Sequence, residues 1–181
     1  MTSPFNRIIN ASEQDTGYSA DYMRDILRAS RWGFFKFILS MPIVRHRKHA
    51  SKQLHKIAQL GATQQEACGP CLDISKKNAR QAGIAEITVR QLLSNSEQAE
   101  QISMAAFRLG ALVAGGPPLS DTLIDTLKKE VGDKGYTELV VSAAAVRVFP
   151  ALKRGLGYAD MCALQEPTME EATLDTQTRQ L

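Results

Sequence analysis

Residues 54–82, with the sequence LHKIAQLGATQQEACGPCLDISKKNARQA, contain two helical patterns that meet at a pair of cysteines. In the first pattern, apolar and small residues recur with the spacing of one helix face. The second is expected to begin at Cys68 and Cys71 and to end before Gly83, because glycine suits the position that follows a helix. The stretch therefore predicts two consecutive helices, with a Cys-x-x-Cys motif at the start of the second.

Helical patterns also dominate the rest of the chain. Residues 94–97 have the spacing of a capping box, which predicts a helix over 99–113. Between residues 139 and 149 the valines would suit a strand, but the length and the run of alanines favour a buried helix kinked near Pro150. Further helical segments are predicted over 21–27, 32–39 and 119–131. The predicted fold class is therefore all-α.

The length of 181 residues suits a single domain with one main core. Residues 1–19 are polar and show no helical period, so we expect them to form an N-terminal arm. Residues 20–164 carry the helical patterns and are expected to form the domain. Residues 165–181 are polar and acidic, and we expect them to form a C-terminal tail.

The composition is that of an ordinary globular protein, with 44% hydrophobic and 23% charged residues. No segment approaches the run of about 18 apolar residues that is typical of a membrane helix. The first residues lack the apolar core of a signal peptide, so we expect a cytoplasmic protein. Only three cysteines are present, which excludes a framework of structural disulfides. The close spacing of two of them points to redox or metal chemistry.

Positive charge is concentrated in residues 26–65. This stretch holds eight Lys and Arg residues, all three histidines and no acidic residue, so it carries +8 while the rest of the chain carries −5. Its aromatic segment 32–39 is expected to pack into the core or into an interface with a second copy of the chain. Contact with an anionic membrane is a less favoured interpretation. Nucleic acid is not expected, because no recognition motif accompanies the charge.

The spacing of the two cysteines favours thiol chemistry. Thiols three residues apart at a helix start lie on one side of the helix and can close a small disulfide ring. The free N–H groups and the positive dipole end of a helix stabilise a thiolate, which lowers the pKa of a cysteine placed there. Pro70 fits the first turn, where its missing N–H is not needed. Cys68 and Cys71 are therefore the predicted redox-active dithiol.

A zinc site is the main alternative for the cysteine pair. His46 and His49 have the spacing of a second pair of zinc ligands. Both histidines, however, lie among Arg and Lys residues, which repel a divalent cation and favour protonated imidazoles. We therefore expect neither a bound metal nor another cofactor.

The Cys-Gly-Pro-Cys tetrapeptide is that of thioredoxins, but a helical pattern precedes it here in place of the strand of that fold. The region resembles instead the AhpD-like branch of the carboxymuconolactone decarboxylase family. The resemblance rests on the segments EACGPCLD (66–73), NARQAGI (78–84), RVFPAL (147–152) and YMRDILRAS (22–30). It implies an AhpD-like helical bundle that forms a homo-oligomer and acts as a thiol peroxidase or disulfide reductase.

The resemblance also implies roles for individual residues. In the family pattern the second cysteine, here Cys71, attacks the peroxide, and the first, here Cys68, resolves the intermediate. The family has a histidine where this chain has Ser75, and a glutamate where it has Lys56. The usual proton relay is therefore absent, and Cys68 becomes an equal candidate for the attacking sulfur.

Neighbouring residues are candidate substitutes for that relay. Glu66 could act as a general base, although a carboxylate beside a thiol also disfavours the thiolate. Lys56 or His55 could supply a cation that stabilises a thiolate, and Ser75 lies on the helix of the cysteines.

The predicted function is a thiol peroxidase or disulfide oxidoreductase that depends on the Cys68–Cys71 pair. Its substrate would be a peroxide or a disulfide, and its electron donor an unidentified thiol. The alternative is a non-catalytic helical scaffold or redox sensor that keeps the cysteine pair without the relay.

Overall fold

The computed structural model describes residues 3–158, and these residues form ten helices and no strand. The predicted all-α fold class is therefore confirmed, whereas the finer AhpD-like arrangement stays a prediction. The helices are α1 (Pro4–Thr16), α2 (Asp21–Ala29), α3 (Arg31–Ser40), α4 (Pro42–Arg45), α5 (Lys52–Gln65), α6 (Gly69–Gln81), α7 (Glu86–Leu93), α8 (Gln101–Val113), α9 (Asp121–Val146) and α10 (Val148–Gly155).

Helix α5 lies at the centre of the core and packs against α6, α8 and α9. Nearly all of its residues between Leu54 and Thr63 are buried, including polar ones. The side chain of Gln59 donates hydrogen bonds to the Val44 carbonyl (2.7 Å) and to the Ser142 hydroxyl (2.8 Å). These bonds allow an amide to lie in the core, because an unpaired buried polar group costs about 1–3 kcal/mol.

The contact between α5 and α8 requires glycine on both helices. A Cβ atom added at Gly61 would lie 1.9 Å from the carbonyl oxygen of Phe107, and one added at Gly110 would lie 1.9 Å from that of Ala58. No side chain can rotate to relieve either clash, since both obstacles are backbone atoms. The two helices therefore meet backbone against backbone.

A carboxylate inside α9 holds the loop that precedes α5. Glu138 is buried and accepts hydrogen bonds from the backbone N–H groups of Lys48 (3.0 Å), His49 (2.8 Å) and Ala50 (3.0 Å). Burial alone would raise the pKa of Glu138, but the three backbone hydrogen bonds outweigh it and lower the pKa to about 2. The basic loop is thus fixed by a negative charge from a distant helix.

Helices α9 and α10 together form a long apolar stretch. The stretch Asp121–Gly155 is long and apolar enough to cross a membrane by length and composition, with a mean hydropathy of 1.2 over its best window, of which 39% is buried inside the structure. One such stretch is weak evidence for a membrane span. It bends at Gly132 (φ 69°, ψ 171°), and Leu127 and Leu139 are fully buried in the core.

Several segments differ from the expectations drawn from sequence. Residues 1–19 contain α1 rather than an irregular arm, and Ile9 is fully buried beside Tyr22 and Phe34. The pattern at 94–97 does not begin α8. It follows the unforeseen α7 and includes Asn95 in a left-handed conformation (φ 51°), which suits the end of a helix.

The helix predicted over 119–131 does not end there, because Gly132 is a bend within α9 and the helix resumes directly after it. The predicted kink near Pro150 corresponds to the break at Arg147, which separates α9 from α10. The expected tail at 165–181 and the end of the domain at 159–164 lie outside the described residues.

We expect Gly61→Ala to lower the free energy of unfolding by about 3 kcal/mol or more, because the new methyl group would force α5 and α8 apart. Urea unfolding followed by circular dichroism measures the change. Gly155→Ala in α10 is the matched control, since a Cβ there meets nothing within 4 Å. Equal stability of the two variants would contradict the close crossing.

We expect Glu138→Gln to destabilise the protein by about 1–3 kcal/mol at neutral pH, because the amide is a weaker acceptor for the three N–H groups. Since the pKa of Glu138 is depressed, its contribution is present above its ordinary value of 4.5 and is lost as the pH falls towards 2. Urea unfolding at several pH values should therefore show a smaller acid-induced loss in the variant. The exposed Glu130→Gln should retain the pH dependence of the original protein.

Candidate functional site

The two cysteines lie side by side at the start of α6. Cys68 is the N-cap residue and Cys71 lies in the first turn. Their Sγ atoms are 2.9 Å apart, and no disulfide joins them. Cys68 is 0% exposed and Cys71 is 6% exposed. The predicted juxtaposition of two thiols is therefore present, but in a buried position.

The turn between α5 and α6 sets this geometry. Ala67 has a left-handed backbone conformation (φ 51°), which costs a residue with a Cβ about 1–2 kcal/mol. The turn reverses the chain within a few residues and places Cys68 at the helix start. Pro70 lies within the first turn, where its fixed φ favours the helix. A strained residue beside a reactive motif is a common feature of functional sites.

Lys153 of α10 contacts Cys71. Its Nζ atom donates a hydrogen bond to the Sγ of Cys71 at 3.7 Å, and it lies 5.6 Å from the centre of the Tyr22 ring. All three side chains are buried, and Phe149 packs against the cysteine pair. Within residues 3–158, no carboxylate lies within ion-pair distance of Lys153 Nζ. The ammonium group therefore faces a sulfur and an aromatic ring.

Tyr22 completes the surroundings of Cys71. Burial is the main cause that raises the pKa of the Tyr22 phenol, and the negative charge of a Cys71 thiolate raises it further. The phenol therefore stays protonated at neutral pH. Next to it lies a small crevice beside Lys153, too narrow to hold a water molecule. The residues that line it are Ser19, Asp21, Tyr22, Lys153 and Tyr158.

Glu66 is held by two arginines. Its carboxylate accepts a hydrogen bond from Arg147 Nε at 2.5 Å and another from Arg154, which also bonds the Glu66 carbonyl oxygen at 3.2 Å. Burial would raise the pKa of Glu66, but the bonds from both arginines together lower it below its ordinary value. The predicted role of Glu66 as a base therefore competes with a structural role as a clamp between the turn and α10.

The other candidate relay residues differ in position. Ser75 is buried one turn after Cys71 and therefore lies on the same face of α6. Lys56 and His55 lie near the start of α5, roughly 14 Å along the helix from its end next to the cysteines. The structure therefore places Ser75 beside the pair, whereas Lys56 and His55 belong to the other end of α5.

The contacts of Lys56 and His55 belong to that distant end. Lys56 Nζ donates to Gln59 at 2.9 Å, and its pKa is lowered by burial and by the surrounding cations. His55 is buried with its Nε2 atom lacking a hydrogen-bond partner, and burial and Lys56 lower its pKa to about 4. That either residue stabilises a cysteine thiolate stays a prediction, since no described contact joins Lys56 or His55 to the cysteines.

The two histidines of the alternative zinc site lie at the surface. His46 and His49 are exposed, and in residues 3–158 no group of three or more His, Cys, Asp or Glu side chains is arranged to hold a metal ion. Cys162 lies outside the described residues. In the basic stretch Phe34 is buried, whereas Trp32 is 64%, Leu39 61% and Ile43 49% exposed.

Sequence patterns did not identify Lys153 as part of the site, because 82 residues separate it from Cys71. One local signal was available. Lys153 follows Phe149 by four residues, which places a lysine on the apolar face of a helix. Tyr22 was part of the segment that carries the family resemblance, but nothing in its spacing pointed to the cysteines.

We expect Glu66→Gln to lower the free energy of unfolding by about 1–3 kcal/mol, because it replaces a charged acceptor of two arginine hydrogen bonds. Urea unfolding measures this loss, and the exposed Glu97→Gln serves as control. If the carboxylate is only a clamp, the alkylation rate of the two thiols by iodoacetamide stays unchanged. A slower rate without loss of stability would instead assign Glu66 to the chemistry.

Comparisons of the chain with protein-family models, with curated proteins and with solved structures found no match. The likeness to AhpD-like proteins therefore rests on the sequence segments given above. The all-helical setting of the cysteine pair agrees with that likeness in fold class. The geometry around Cys71 is accordingly the basis for proposing a function.

Proposed function

We propose that the protein is a thiol peroxidase or disulfide oxidoreductase of the AhpD-like kind, which cycles a disulfide between Cys68 and Cys71. The observation that carries the proposal is the 2.9 Å separation of the two Sγ atoms at a helix start. At this distance a disulfide can form with only a small shift of the side chains, since a bonded pair is about 2.05 Å apart.

The proposed reaction with a hydroperoxide has two steps. The Cys71 thiolate bonds to one peroxide oxygen while the O–O bond breaks, which gives a sulfenic acid and an alkoxide that takes a proton from solvent. The Cys68 thiol then attacks the sulfenic sulfur and releases water, which leaves the Cys68–Cys71 disulfide. A thiol donor reduces this disulfide by exchange and restores both thiols.

The burial of the pair supports a small oxidant. Cys71 is only 6% exposed, so a hydroperoxide reaches its sulfur with less rearrangement than a disulfide in a folded partner protein. For a disulfide substrate, the Cys71 thiolate would attack one sulfur and release the other as a thiolate. The mixed disulfide would then be resolved by Cys68.

A second candidate function is a redox sensor on a non-catalytic scaffold. It is favoured by Ser75 and Lys56 at the positions of the family's relay, and by the engagement of Glu66 with Arg147 and Arg154. A sensor would form the same disulfide but would not turn over with a thiol donor.

We also propose that the protein acts in the cytoplasm and forms a homo-oligomer. The exposed apolar side chains of Trp32, Leu39 and Ile43 support an interface at α3 and α4, flanked by basic residues that suit the acidic remainder of a second copy. Neither a nucleic acid nor a membrane is part of the proposal.

We expect dilute hydrogen peroxide to convert Cys68 and Cys71 to a disulfide, which removes two hydrogens from the protein mass and is reversed by dithiothreitol. Alkylation followed by mass mapping identifies the residues, and a Cys162→Ser background removes the third thiol. Cys68→Ser should accumulate a sulfenic acid on Cys71 that dimedone traps. The reactive-pair proposal is wrong if both cysteines still alkylate fully after peroxide treatment.

Turnover separates the enzyme from the sensor. With excess dithiothreitol, an enzyme consumes many equivalents of hydrogen peroxide per chain, whereas a sensor consumes about one equivalent for each slow cycle of reduction. The Cys71→Ser variant is the control, because it lacks the sulfur that attacks the peroxide in the proposed reaction. Peroxide consumption equal to that of this variant would leave only the sensor function.

A further inference from the structure

Lys153 is an unusual residue in the core. It lies in α10, and only 6% of its surface is exposed. Within the described residues its side chain has no carboxylate partner. A buried ammonium group without a counter-charge is strongly disfavoured. The other lysines of the described part can reach solvent or an acidic group far more easily. Something beside Lys153 must therefore compensate its charge.

Two neighbours can provide that compensation. The face of the Tyr22 ring lies 5.6 Å from Nζ, which gives a cation–π interaction. The Sγ of Cys71 lies 3.7 Å from the same atom, and a thiolate there would be a full negative charge in contact with the ammonium. Because burial reduces screening by water, such an ion pair is stronger here than at the surface.

We propose that the ammonium group of Lys153 stabilises the Cys71 thiolate and so selects Cys71, rather than Cys68, as the attacking sulfur. Lys153 would thereby replace the relay residues that the family has where this chain has Lys56 and Ser75. The role of Cys71 as the attacking sulfur rests on the proposed function. The stabilisation of its thiolate by Lys153 can be tested without any catalytic turnover.

The geometry distinguishes the two sulfurs. Lys153 donates a hydrogen bond to Cys71 at 3.7 Å, and the Sγ of Cys68 lies 2.9 Å from that of Cys71. Cys71 also retains some exposure, whereas Cys68 has none. A thiolate on Cys71 thus has both a cation and access, while Cys68 is placed to attack a sulfenic acid formed on its neighbour.

Other ionisable groups near Lys153 affect the pH dependence less directly. They are Cys68 at the N-cap of α6, Asp21 and Tyr22 of α2, and Tyr158, which follows α10. Tyr22 stays protonated through the neutral range because its pKa is raised by burial. Asp21 is exposed and pairs with Arg24 at 3.1 Å. The pH profile of alkylation is therefore expected to follow the thiol that the single-thiol protein retains.

The first test compares two single-thiol proteins. One carries Cys68→Ser with Cys162→Ser and retains Cys71, and the other carries Cys71→Ser with Cys162→Ser and retains Cys68. Iodoacetamide alkylation is followed against pH by mass spectrometry, since only the thiolate reacts. We expect the Cys71 protein to reach its half-maximal rate at a lower pH. Identical pH profiles of the two proteins would overturn the assignment.

The second test changes Lys153 in the protein that retains Cys71. We expect Lys153→Met to reduce the alkylation rate at neutral pH about tenfold or more, and to approach the original rate at alkaline pH, where the thiol ionises unaided. Lys153→Arg keeps the charge and should retain most of the neutral rate. Lys129→Met, which alters an exposed lysine of α9, is the matched control.

A loss of folding cannot imitate this result. Circular dichroism and thermal unfolding identify a variant that has lost its structure, and an unfolded variant would react faster because its thiol would be accessible. Lys153→Met with an unchanged pH profile would show that Lys153 only fills space. If the profile shifts as expected but peroxide gives no reversible disulfide, the proposed function fails and the electrostatic role of Lys153 stands.

Discussion

The contact of α5 with α8, backbone against backbone, is the constraint on which the rest of the structure depends. Gly61 and Gly110 leave no room for a side chain, so the two helix backbones are in direct contact. Because α5 also packs on α6 and α9, its position is transmitted to both. The turn that carries Cys68 and Cys71 follows directly from the end of α5. The core therefore fixes where this turn begins, and the turn and the first residues of α6 set the separation of the two sulfurs.

Local features of the chain were predictable, and features that depend on distant residues were not. The cysteine pair at a helix start and the stop at Gly83 follow from the preferences of a few adjacent residues, and the structure confirms both. Lys153 required a tertiary contact across 82 residues, and no pattern of spacing reveals that. Glu138 is similar, since an acidic residue in a helix is usually solvated, and its partners lie 88–90 residues away. The helix α1 was missed because its many polar residues obscure a single buried position, Ile9.

Three buried charges are compensated in three different ways. Glu138 is surrounded by backbone N–H groups, and Glu66 is bonded by two arginines. Both arrangements lower the pKa of the carboxyl group and so keep it ionised at neutral pH. Lys153 differs, because one of its two partners is a thiol that can lose a proton or be oxidised. Of these three groups, Lys153 is the one whose partner has a chemical state that can change.

Adjacent residues of α10 reach both sides of the cysteine turn, Lys153 to Cys71 and Arg154 to Glu66. In the proposed cycle, the docking of α10 and the redox state of the pair would be thermodynamically linked. Oxidation to the disulfide would remove the negative sulfur, so Lys153 would lose one of its two partners, while the apolar contacts of Phe149 and Leu152 and the bonds of Arg154 remain. By reciprocity, a ligand that stabilises the docked α10 would favour the reduced, ionised pair, and one that displaces α10 would favour the disulfide. The last helix of the described residues would then respond to the proposed chemistry of the two thiols and also influence it.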